Sequence, residues 1–211
     1  MKKKVEQIIK LLAITFPEVK CHLEFNSPFE LIVSTVLAAQ CTDERVNMTM
    51  VPLYKSIYRS PYDIIKLGEE KLRENIRSIN FFNNKTKSVY ALSKKLVEEY
   101  NGNVPETMEE LTQLAGVGRK SASVILGNCY GKKDVIIVDT HFKRVVNRLG
   151  IIDESDAVKI EIGIDRIVPK KEQFDFSMRI GELGRNICKA RKPLCAECVL
   201  NKVCDSAFKF D

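Results

Sequence analysis

A chain of 211 residues, 45% of them hydrophobic, buries about 70% of its extended surface on folding and so does not depend on a disulfide scaffold. Its 34 Lys and Arg against 28 Asp and Glu leave a net charge of +6, which suits an anionic partner without requiring one. No apolar run approaches the roughly 20 residues of a membrane-spanning helix, and Met1-Lys2-Lys3-Lys4 leads into no long apolar stretch of the signal-peptide kind, so a cytoplasmic protein with no membrane partner is expected.

Helical signals dominate. Val5, Ile8, Ile9, Leu12 and Phe16 recur at helical spacing, and Pro17 closes the segment. Ser27-Pro28-Phe29-Glu30 reads as a capping box with proline at the first helical position. It opens a very apolar helix through Leu37. Thr42 caps a helix through Tyr54. Ser60-Pro61-Tyr62-Asp63 opens a short helix, and Gly68 separates it from another over Glu69 to Ser78. From Lys85 to Tyr100, Val89, Leu92, Leu96 and Val97 form one stripe, closed by Asn101-Gly102. Thr107 to Glu110 is again a capping box. Further helices are expected near 120–129, 141–148, 155–167 and 172–187. Val135-Ile136-Ile137-Val138 alone looks like a strand. One strand makes no sheet, so it reads as a buried extended connector. With no repeat, low-complexity tract or flexible linker, the fold is read as all-α, with roughly ten helices and short loops.

The string Leu114-Ala115-Gly116-Val117-Gly118-Arg119-Lys120-Ser121-Ala122 places a Gly-x-Gly turn between two helical segments. Glycine permits positive φ and lets backbone N–H groups turn outward. With the N-terminus of the next helix they form an anion site, and the small Ser121-Ala122 pair lets two helices approach. This is a helix–hairpin–helix pattern, which grips a DNA backbone without reading bases. Gly116, Gly118 and Arg119 are its candidate phosphate contacts.

Lys120 follows on the first helical turn. In bland terms it is a solvated lysine or a phosphate contact. To act as a nucleophile its amine must be neutral, so its pKa must fall from about 10.4 toward neutrality, a change worth about 4 kcal/mol. Desolvation, Arg119 and the positive helix N-terminus all push that way. About twenty residues on, Val138-Asp139-Thr140-His141 places a carboxylate at the start of another helix. Asp139 is a favoured N-cap residue, and that role can coexist with proton management. His141, on the first turn, can donate to a phosphate or simply pack.

Seven cysteines in a chain expected in a reducing compartment suggest thiols or a metal site rather than disulfides. Cys21, Cys41 and Cys129 stand among apolar neighbours and read as small core residues. Cys188, Cys195, Cys198 and Cys204 have the spacing C-x6-C-x2-C-x5-C. Four thiolates so close fit one metal centre, and zinc and a [4Fe–4S] cluster both accept four cysteines. One close pair flanked by wider arms wraps a bulky cluster more naturally than the paired close hairpins of structural zinc. The loop between the first two cysteines holds Lys189, Arg191 and Lys192, with no acid between Arg185 and Lys192. A metal that stiffens this loop would present those cations to phosphates.

Together, Leu37-Ala38-Ala39-Gln40-Cys41-Thr42-Asp43, Leu114 to Ala122, Val138 to His141 and the four-cysteine loop resemble the endonuclease III branch of the helix–hairpin–helix DNA glycosylases, over nearly the whole chain. The resemblance implies a bifunctional DNA glycosylase and abasic-site lyase of base excision repair. Its substrate would be oxidised pyrimidines in double-stranded DNA. Lys120 would attack the sugar C1′ and displace the damaged base, and the Schiff base would undergo β-elimination on the 3′ side. Asp139 would help activate the amine and stabilise positive charge on the sugar. The target nucleotide would first be flipped out of the stack. Gln40 matches the residue that fills the vacated space, and Phe81 falls where the family drives an apolar wedge into the bases; its alternative is an ordinary core aromatic.

The family fold is two helical domains with a DNA groove between them. Here that implies a six-helix domain with the hairpin over 22–134. Residues 1–21 with 135–211 would form a second domain, its [4Fe–4S] cluster held by Cys188, Cys195, Cys198 and Cys204. A monomer is implied as well. Three departures stand out: Ala115 replaces a proline before the first hairpin glycine, Asn80 replaces a glycine beside the wedge, and Phe176-Ser177-Met178-Arg179 replaces an aromatic and histidine pattern. Two rivals remain. One is a mismatch-specific DNA glycosylase of the same superfamily, which typically lacks a lysine at position 120. The other is a non-catalytic DNA-binding metalloprotein, which needs neither Lys120 nor Asp139.

Overall fold

A computed structural model describes residues 1–210. Their helices are α1 (Lys2–Thr15), α2 (Pro28–Leu37), α3 (Asp43–Ser56), α4 (Pro61–Asn75), α5 (Phe82–Tyr100), α6 (Met108–Leu111), α7 (Arg119–Tyr130), α8 (Thr140–Arg148), α9 (Ala157–Ile167) and α10 (Gln173–Asn186). Two 3-10 turns, Lys170–Glu172 and Cys195–Glu197, complete the set, and no strand occurs among the described residues. No helix among them is long and apolar enough to cross a membrane.

The chain forms two compact units. The first, Cys21–Gly131, holds α2 to α7. Its centre is α2, which has no solvated face: Phe29, Leu31, Ile32, Val33, Val36 and Leu37 are all buried. Each such side chain contributes about 1.5–3 kcal/mol by leaving water. The helix packs against α3, α5 and α7. Even its polar residues are absorbed. Ser34 Oγ and Tyr54 Oη lie 2.8 Å apart, and Tyr54 Oη donates to the Glu30 carbonyl at 3.0 Å. Burial there pushes the Tyr54 phenol well above its ordinary value.

The Ser27 cap is only half of a capping box. Ser27 Oγ accepts from the Glu30 N–H at 3.2 Å, but the Glu30 carboxylate accepts from the Asn26 N–H at 2.7 Å instead of reaching Ser27. Gly68 divides α4 as the sequence indicates: its backbone is non-helical, with φ 86° and ψ 163°, and two helical segments meet there at a kink, because a single glycine absorbs the whole backbone change. Helix α5 begins three residues before the apolar stripe indicates, at Phe82.

The second unit is Met1–Lys20 together with the chain from Lys132. Its core joins Val5, Ile8 and Leu12 of α1 with Phe142, Val145 and Val146 of α8, Ile160 and Ile164 of α9, and Phe176, Ile180 and Leu183 of α10. The Phe142 and Phe176 rings meet edge to face at 6.0 Å. The apolar 135–138 segment is an extended connector whose Ile136 joins this core. Helices α8 and α10 approach at Gly184, where a Cβ would lie 2.9 Å from the His141 Cβ and 3.2 Å from Val145. Only glycine lets α10 sit this close to the first turn of α8.

Candidate active site and cysteine cluster

The hairpin belongs to the first unit. Leu114 and Val117 are buried and fix the turn, with the Val117 N–H donating to the Leu114 carbonyl at 3.1 Å. Positive φ is confined to Gly116, at 80°. A Cβ there would meet Val36 at 3.0 Å and Ser88 at 3.1 Å, so the turn is seated directly on α2 and α5. Gly118 departs from the sequence reading: its backbone is extended, with φ −95°, and open space surrounds it. Its value lies elsewhere. As N-cap of α7 it has no side chain to satisfy the first N–H groups of the helix. That end of the helix, with its positive pole, suits an external anion. Arg119 and Lys120 are exposed on this first turn.

Two further candidates stand on the same helices. Gln40 lies in the turn after α2, and Phe81 immediately precedes α5. Both are exposed, Phe81 by 62%. Phe81 is thus no core aromatic. Both are also left-handed, with φ of 53° and 57°. Left-handed backbone costs a non-glycine residue on the order of 1–2 kcal/mol, and such strain gathers at sites of function. Lys192 is a third example, at φ 49°.

In the second unit Asp139 caps α8. Its Oδ1 accepts from the Phe142 N–H at 2.8 Å. One oxygen thus serves the helix cap. His141 is half-buried, and its Nδ1 lies 3.2 Å from an Arg144 guanidinium nitrogen. Arginine only donates, so Nδ1 accepts and Nε2 carries the proton that can be offered outward.

Arg144 and Arg148, which the sequence reading missed, hold the loop that carries the first cysteines. Arg144 Nε donates to the Cys188 carbonyl at 3.0 Å, and its Nη2 to the Gly184 carbonyl at 2.7 Å. Arg148 donates to the carbonyls of Lys189 at 2.7 Å and Ala190 at 2.9 Å, touches Cys188 Sγ at 3.5 Å, and stacks on Phe210 at 4.0 Å. The loop that bears the exposed Lys189, Arg191 and Lys192 is thus pinned from α8. The only available signal was two arginines one helical turn apart, which is also the pattern of a solvated face.

Cys188, Cys195, Cys198 and Cys204 line one cavity of about 30 Å³, together with Arg148 and Phe210. Burial pushes the Cys198 and Cys204 thiols up, and the other cysteines of the set push the same way. Four cysteine sulfurs around one cavity match the all-thiolate donor set of a [4Fe–4S] cluster. Among the described residues no three His, Cys, Asp or Glu side chains gather as a ready single-ion site; the four sulfurs ring a cavity instead. Cys21, Cys41 and Cys129 are half-buried, which corrects their reading as core residues. Burial pushes the Cys129 thiol up to about 11.

Residues 33–170 match the family model of the HhH-GPD superfamily base excision DNA repair proteins, and residues 188–204 match the iron–sulfur binding domain of endonuclease III. Endonuclease III of Bacillus subtilis is 40% identical over 210 residues, 99% of this chain and 95% of that protein. Endonuclease III of Synechocystis is 39% identical over 206 residues, 98% of this chain and 94% of that protein. A solved structure of a trapped endonuclease III–DNA covalent intermediate superimposes with a TM-score of 0.93 at 37% identity. It covers 99% of this chain and 98% of its own.

Proposed function

The chain belongs to the endonuclease III family of base excision DNA repair proteins, and from that premise we propose that Lys120 is its nucleophile and Asp139 its proton and charge partner. The protein is a DNA glycosylase and abasic-site lyase. It binds DNA and carries a [4Fe–4S] cluster. One observation carries the residue assignment: a lysine, able to form an imine, stands on the first turn of α7 directly after an uncapped glycine hairpin.

In this reading the neutral Lys120 amine adds to C1′ of the flipped nucleotide. The C1′–N bond breaks, and the base leaves with its electron pair and takes up a proton. The added nitrogen loses a proton as the C1′–O4′ bond opens, giving the Schiff base. Loss of a C2′ proton then expels the 3′-phosphate, and water hydrolyses the imine to restore the amine. The carboxylate of Asp139 suits it to take the proton from the ammonium and to stabilise positive charge on the sugar. Gly116, Gly118 and Arg119, His141 through Nε2, and the pinned Lys189, Arg191 and Lys192 hold phosphates. Gln40 fills the space left by the flipped nucleotide, and Phe81 wedges the stack.

Cys188, Cys195, Cys198 and Cys204 hold the cluster, which binds the two arms of the loop together when present. The unit Cys21–Gly131 is the helix–hairpin–helix domain, within a few residues of the expected 22–134, and Met1–Lys20 with the chain from Lys132 is the cluster domain, acting as a monomer. Purified protein should carry about four irons per chain, and Cys198→Ala should lose most of that iron; stoichiometric zinc in its place would contradict the assignment.

The favoured lesion class is oxidised pyrimidine in duplex DNA. A thymine-glycol duplex should yield free base and a strand cut on the 3′ side of the lesion. Base release with the strand left intact, or activity confined to mismatches, would reject this reading.

A further inference from the structure

Two hydrogen bonds tie the residues around Phe81 to the end of α2 and the Gln40 turn that follows it, one from the loop before α5 and one from the start of α5, and neither is used by the chemistry above. Asn80 Nδ2 donates to the Gln40 carbonyl at 3.1 Å. Lys85 Nζ donates to the Leu37 carbonyl at 2.8 Å, with Lys85 only 6% exposed. The donors flank Phe81 on both sides, and the acceptors lie in one turn, 37–40. A buried ammonium is costly, but here it sits at the C-terminal end of α2, where unpaired carbonyls and the helix dipole favour a cation. Ile79, only 1% exposed, anchors the far side of the loop, and Ser78 Oγ lies 3.1 Å from Thr49 Oγ1.

We propose that Asn80 and Lys85 are positioning residues that latch the Phe81 loop to the Gln40 turn, so that both side chains enter the duplex as one preset unit. The proposal rests on the DNA roles assigned above to Gln40 and Phe81. Its physical content is preorganisation. Two separate exposed loops would each lose freedom on insertion, whereas latched loops have lost it beforehand. The latch also explains how two non-glycine residues keep left-handed backbone side by side. Asn80 supplies a donor that the glycine usual at this place in the family does not have.

The test uses the intact protein with two substrates and one optical probe. Asn80→Asp keeps the shape but replaces the donor by an acceptor, on an exposed residue whose change leaves folding intact. On an abasic duplex its kcat/KM should fall about tenfold, mainly through KM. On a single-stranded abasic oligonucleotide, which needs no opening, its lyase rate should stay within about twofold. Lys85→Met should show the same contrast more strongly. A duplex with 2-aminopurine opposite a tetrahydrofuran abasic analogue reads insertion without chemistry. Saturating Asn80→Asp should give less than about half of the unaltered protein's fluorescence rise. Equal losses on both substrates, or an undiminished fluorescence rise, would overturn the latch. If the unaltered protein cleaves neither substrate, the activity reading fails, and the fluorescence comparison still decides the latch.

Discussion

Lys120→Gln should lower cleavage of an abasic duplex by at least about a thousandfold while changing duplex affinity by less than about tenfold. The two numbers separate two roles. Glutamine keeps most of the length and a hydrogen-bond donor but cannot form an imine. A lysine that only touched a phosphate would lose one charge contact and some salt dependence of binding, with the chemical step unaffected. Lys120 is exposed on α7, so its replacement disturbs no core, and a loss of activity cannot be traced to misfolding. Strand-cleavage rates under single-turnover conditions, beside binding to a tetrahydrofuran duplex, provide both quantities.

Asp139→Asn should lower base-excision turnover by about a hundredfold to a thousandfold with little change in melting temperature. Asparagine caps helices about as well as aspartate, and its amide oxygen can keep the bond now made from Oδ1 to the Phe142 N–H. What it removes is the negative charge and the proton acceptor at the other oxygen. Asp139→Ala should add a stability loss of about 1 kcal/mol through the lost cap. A thermal shift for the asparagine variant as large as for the alanine variant, with activity retained, would reduce Asp139 to a cap.

What was legible in the sequence was mostly local. The hairpin, the Asp139 cap and the four-cysteine loop each occupy fewer than twenty consecutive residues, and their meaning depends on spacing and residue type. The all-helical reading followed from apolar periodicity and from caps such as Ser60 with Asp63. What escaped is long-range. Arg144 and Arg148 hold carbonyls some forty residues away, and Asn80 and Lys85 reach back by forty and forty-eight. A guanidinium that donates to a distant backbone carbonyl leaves no pairwise pattern in a single chain. Gly68, by contrast, was legible for a local reason: a glycine between two helical runs marks the break that its φ of 86° makes in α4. Gly118 was assigned a torsional role that Gly116 alone fills.

The central claim is that one particular amine becomes covalently joined to the sugar. Borohydride reduction of the protein on an abasic duplex, followed by proteolysis and mass mapping of the modified peptide, tests it most directly. The account predicts a single reduced adduct whose DNA remnant sits on Lys120. A remnant on another lysine or on the terminal amine, or strand cleavage with no trappable adduct, would contradict it.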